Sequence, residues 1–103
     1  MVKVGDILVH SFGYNCTLVD FYKIVNVTKS GKSIKIRKLN SKMTSHDGYG
    51  QAGKVVPDET FSNDEILTKR IVPSEYFGYM IKINDYSHAY PWDGKEVSFN
   101  SYD

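Results

Sequence analysis

The sequence predicts an all-β fold: a small SH3-like barrel or a strongly bent antiparallel sheet of about six strands, with at most one short helix. Three observations lead there. Two β-prone runs flank Lys29-Ser30-Gly31-Lys32, and the second, Ile34-Lys35-Ile36-Arg37, alternates apolar with basic residues as a half-buried strand does. Phe77, Tyr79, Ile81 and Ile83 share one parity, giving the cleanest one-sided strand in the chain. Aromatic residues make up 14% of the chain, including eight tyrosines, and they bury large areas from few positions. With 103 residues, two separate cores would each be marginal, so residues 1–103 read as one β domain.

Gly5-Asp6 forms a turn before the short apolar strand Ile7 to His10. Ser11 to Asn15, with Gly13, reads as a loop. The first long strand runs from about Thr17 to Thr28, and its pattern breaks: Tyr22 and Ile24 share one parity, Val25 and Val27 the other. Either both faces are partly buried or a bulge near Ile24 and Val25 resets the register. Gly31 tolerates positive φ, so the turn is a two-residue connection or a type I turn with a glycine bulge. The return strand, Ser33 to Leu39, turns Ile34 and Ile36 inward and Lys35 and Arg37 outward. Leu39 departs from that alternation unless the strand twists or ends there.

Regularity weakens over residues 40–65, which read as an irregular or mobile insertion within the domain. Lys54-Val55-Val56 suggests a short edge strand ended by Pro57, and Ser62 to Glu65 suggests the cap of a brief helical turn. Order returns with Ile66 to Val72 and the Phe77 to Ile83 strand. Tyr86 to Tyr90 is a short aromatic stretch, and Pro91-Trp92-Asp93-Gly94 a tight turn, cis or trans. A last strand, Lys95 to Tyr102, turns Val97 and Phe99 inward.

Thirteen basic and 12 acidic residues leave a formal charge of +1, which argues against a body wholly committed to nucleic acid but leaves room for a local patch. The chain shows neither a secretion leader nor an apolar run of membrane-spanning length, so the expectation is a protein of the cytoplasm with no membrane partner. The single Cys16 fits a reducing compartment. Without export, the Asn-Cys-Thr at Asn15 and Asn-Val-Thr at Asn26 are chance matches to a glycosylation pattern.

No catalytic constellation stands out. Gly31-Lys32-Ser33 resembles the end of a phosphate-binding loop, but Asn26 occupies the position of the required first glycine and a β-like segment follows where a helix is needed. His10, His46 and His88 are far apart, and only Cys16 offers a thiolate, so no metal site or cofactor is predicted. A small hydrolase built on Cys16 or a histidine is an alternative that lacks a recognisable base. Asp47, Asp58, Glu59, Asp64 and Glu65 gather in the middle without a fixed separation, so they define no acid–base dyad.

Two surfaces are better supported as binding sites. Lys29, Lys32, Lys35, Arg37, Lys38 and Lys42 place six positive charges between positions 29 and 42 with no acid among them, whereas Met43 to Glu65 holds five acids and only Lys54. Such a hairpin can collect phosphates or meet an acidic protein. The plainer reading is a solvated face whose lysines discourage edge pairing. The second surface is aromatic: Tyr86, Tyr90 and Trp92 combine apolar area with a polar handle. Trp92, between Pro91 and Asp93-Gly94, is expected chiefly to lock the last turn against the sheet.

Gly5-Asp6-Ile7-Leu8, Ser11-Phe12-Gly13-Tyr14, Val19-Asp20-Phe21-Tyr22, the Gly53 to Pro57 run and Trp92-Asp93-Gly94-Lys95 together make a pattern spanning most of the chain. In it the chain resembles a family of small, mostly uncharacterised bacteriophage and prophage proteins. The resemblance implies a phage or prophage origin and leaves function open; joined to the missing catalytic constellation and the segregated charge, it leads to the expectation of a nonenzymatic binding protein in the host cytoplasm. Its partner would be a host protein or protein–nucleic-acid machine, and inhibition of host defence is a candidate role. Direct nucleic-acid binding through the basic hairpin is the alternative, and a homo-oligomer remains compatible with either.

Overall fold

The computed structural model describes residues 2–12, 18–46, 52–76, 78–84 and 87–100. They form β1 (Ile7–Phe12), β2 (Leu18–Val27), β3 (Ser33–His46), β4 (Ala52–Ser74), β5 (Gly78–Asn84), β6 (Ser87–Pro91) and β7 (Val97–Asn100). All pairings are antiparallel. The order β3-β2-β1-β6-β5-β4-β7, with a further β3–β4 pairing, bends the sheet into a ring. β4 can serve three neighbours because it is long: Gly53 to Arg70 pairs with β3, Ala52 to Val55 also pairs with β7, and Ile71 to Ser74 pairs with β5.

Both explanations of the broken pattern in β2 apply. Ile24 pairs with Ile36 and Asn26 with Lys35, so Val25 is the extra residue of a bulge. The bulge allows Ile24 and Val27, three positions apart, to reach the same inner core. That core joins Leu8, Tyr22, Ile24, Ile34, Ile36, Tyr79, Ile81 and Ala89. On the opposite face of the same strands, Val9 and Phe21 meet Leu39 and Val55 in a second core flanked by Trp92, Val97 and Phe99. β1 and β2 therefore bury successive residues on opposite sides, which erases simple alternation. Leu39 stands by simple alternation on the same face as Lys35 and Arg37, opposite Phe21, and is buried because the second core covers that face there.

The β2–β3 connection is longer than two residues. Gly31 N–H donates to Thr28 O at 2.8 Å, and Thr28 N–H donates to Ser33 O at 3.0 Å. Gly31 sits at φ 74°, a left-handed conformation that favours glycine.

The expectation of an irregular 40–65 segment is corrected: β3 continues to His46 and β4 begins at Ala52, with residues 47–51 outside the described set. The irregularity lies in the pairing, which shifts at three places between Arg37 and Ser45. Pro57 does not end the strand. It pairs with Ser41, beyond the stretch of β4 that β7 covers, where a missing N–H leaves no ladder bond unmade on the open side. Residues 62–65 are extended rather than a helical cap. No peptide bond among the described residues is cis, so Pro91 is trans.

Tyr79 and Ile81 point inward as expected, 7% and 0% exposed, while Phe77 lies outside the described residues. The Tyr79 hydroxyl is buried without a hydrogen-bond partner. Burial, with a smaller contribution from Asp6, pushes its pKa up to about 12.

Candidate functional site

The basic hairpin divides into engaged and free charges. β3 turns Arg37 to the outer face, where its guanidinium lies 3.9 Å from the centre of the Phe61 ring. Its Nη2 donates to Asn63 O at 2.8 Å and to Asp64 Oδ1 at 3.2 Å. Lys38 reaches Asp20 at 3.3 Å, and Lys23 on the neighbouring strand reaches Glu59 at 3.5 Å. Asp64 and Glu59 belong to the acidic window, so part of the charge that is segregated along the sequence recombines when β4 lies down beside β3.

Lys29, Lys32 and Lys35 are exposed and take part in none of the ion pairs formed among the described residues. The fold adds Arg70 to them. It pairs with Ser33, next to Lys35 on the outer face, and Ile71 N–H ties this part of β4 to Lys32 O at 2.9 Å. Arg70 was not singled out from the sequence because its place depends on the β3–β4 register. Lys42 is exposed on the distal part of β3, opposite Val56 and away from this rim. Beside the rim, Ile66 is 54% exposed and Phe61 36%, so the same face offers apolar contact area.

The aromatic surface is only partly brought together. Tyr90 and Trp92 are half-buried neighbours, and Tyr86 lies outside the described residues. Trp92 meets Phe21 edge-on with ring centres 6.2 Å apart, and its Nε1–H donates to Lys95 O at 2.7 Å. It thus locks the last turn while one side of it borders a cleft. That cleft, about 300 Å³, is lined by Val9, Tyr90, Pro91 and Trp92 and by Asp93, Glu96, Val97 and Ser98.

His10 is buried. Its Nε2 lies 2.7 Å from Ser87 Oγ, which donates to Asn84 Oδ1 at 3.0 Å. With the serine proton committed to Asn84, Nε2–H is the donor to Ser87, and Nδ1 is left as a buried lone pair without a partner. Burial lowers the His10 pKa, Asp20 opposes the shift, and Lys38 adds to it. An imidazole donating to serine does not act as its base, so the pair behaves as a structural bond. Tyr22, 6.4 Å from His10 by ring centres, has its pKa raised by burial and by Asp20 and Glu65.

His88 is exposed, and Cys16 lies outside the described residues. Among the described residues, no group of three or more His, Cys, Asp or Glu side chains could hold a metal ion. None of their elements is a helix long and apolar enough to cross a membrane. Comparison with protein-family models, with curated proteins and with solved structures finds no match to this chain.

Proposed function

We propose that this chain is a nonenzymatic binding module that occupies an acidic surface of a macromolecular partner through the outer face of β3 and β4. One observation carries the reading: Lys29, Lys32, Lys35 and Arg70 are exposed and form no ion pair among the described residues, on a face that also exposes Ile66 and Phe61, while Arg37, Lys38 and Lys23 are neutralised within the fold. Cations supply steering and register, and adjacent apolar side chains supply the contact area that a solvated lysine face would lack. The phage resemblance makes a host protein or protein–nucleic-acid machine the partner class, with blockade of a host-defence component as the biological outcome.

The test compares the wild-type chain with a variant carrying Lys29→Gln, Lys32→Gln, Lys35→Gln and Arg70→Gln in affinity capture from bacterial lysate. A partner retained by the wild type and lost by the variant supports the reading, and identical captures sink it. Direct nucleic-acid binding is separated by anisotropy with a labelled oligonucleotide. Four phosphate contacts predict a loss of about 50- to 150-fold in affinity between 50 and 200 mM salt. Binding of that steepness identifies the nucleic-acid reading, and absence of binding at low salt excludes it.

A further inference from the structure

We infer that the cleft beside Trp92 is a docking site for an arginine side chain presented by a protein partner. The site is distinct from the β3–β4 face and of opposite charge. Val9 and Val97 give it apolar lining, Tyr90 and Trp92 aromatic lining, and Asp93 and Glu96 supply the only charged groups among its described lining residues. At about 300 Å³ it sits at the small end of ligand pockets, a size suited to one side chain or a small molecule.

The polar groups are held in place before any ligand arrives. Lys95 N–H donates to Asp93 Oδ1 at 2.9 Å, and the Thr44 hydroxyl lies 2.9 Å from Glu96 Oε2, the shorter of its two acceptor contacts beside Lys54 O at 3.2 Å. The indole is fixed by its bond to Lys95 O and by its edge contact with Phe21. The nearest cation in the sequence, Lys95, contributes its backbone carbonyl and N–H to this framework, and neither Asp93 nor Glu96 takes part in an ion pair among the described residues. A cleft whose lining combines two carboxylates with aromatic side chains favours a cation. Guanidinium fits better than ammonium because it is planar, stacks on aromatic faces, is weakly hydrated, and carries several donors in a fork that matches carboxylates.

Trp92 is the single tryptophan of the chain, so its fluorescence and its indole N–H resonance report on this cleft alone. The probe is the peptide acetyl-Gly-Arg-Gly-amide, titrated against its citrulline counterpart, which keeps the shape and removes the charge. The arginine peptide should give a saturable shift, and the citrulline peptide should bind about tenfold more weakly. Glu96→Gln and Asp93→Asn keep the internal acceptors and should each weaken the arginine peptide about two- to fivefold. Lys35→Gln should leave the titration unchanged, which separates this site from the β3–β4 face. Equal shifts from both peptides, or no saturable shift, would overturn the proposal. So would an indole shift that grows with protein concentration without peptide, because the occupant would then be a second copy of the chain.

Discussion

Replacing Ile81 by alanine tests the ring directly. Ile81 is fully buried in β5, between Ile71 on β4 and Ala89 on β6. Both flanking strands are held by backbone ladders, and Ala89 has no longer side chain to swing into the space. Collapse around the vacancy is therefore limited, and the loss should lie in the upper part of the usual range, about 3–4 kcal/mol. For a domain of this size that corresponds to a fall in Tm of about 12–30 °C. Urea unfolding should show a lower midpoint with an unchanged slope. Lys35→Ala, on the exposed face of β3, should stay within about 0.5 kcal/mol of wild type in the same assay. A loss below about 1 kcal/mol for Ile81→Ala would mean that the inner core is loosely filled and that the burial argument fails.

Two further outcomes follow from the same geometry. Arg37→Ala should cost about 1–2 kcal/mol in urea unfolding, through loss of the stack on Phe61 and the bonds to Asn63 and Asp64, yet leave partner capture intact. Loss of capture with unchanged stability would refute that assignment. His10 has a lowered pKa in the fold, so below about pH 6.5 the unfolded chain takes up a proton that the folded chain resists. Its contribution is thus complete above that pH and falls as the pH drops toward the folded value. Unfolding midpoints measured between pH 7.5 and 5 should decline more steeply for wild type than for His10→Asn, and parallel declines would show that His10 does not carry the slope.

The inner-facing residues were legible wherever a strand buries one side. Ile34, Ile36, Tyr79 and Ile81 stand on a strict period of two, and the structure buries all four. The pattern failed where a strand buries both sides or changes register. Phe21 and Tyr22 are adjacent and both buried because separate cores lie on the two faces of β2. The 40–65 segment looked irregular because its pairing slips at Leu39, Ser41 and Ser45, which desynchronises the apolar positions of β3 from those of β4. Pro57 then read as a terminator, since composition alone does not reveal which edge of a strand is open.

Charge shows the same limit more sharply. Lys35 and Arg37 are two positions apart on one face of one strand, and in the sequence they are equivalent parts of a basic run. The register of β4 separates them: Lys35 stands opposite Thr68, whereas Arg37 stands opposite Ile66 and reaches back to Phe61 and Asp64. Asp64 from the acidic window therefore acts as an internal counterion for Arg37, as Asp20 does for Lys38, and the turn end stays positive, where Arg70 joins it. A surface with its charge spread evenly would attract polyanions without orientation. One that is neutralised at Arg37 and Lys38 presents cations at the turn edge near exposed Ile66, an arrangement that favours a single docking pose over diffuse attraction.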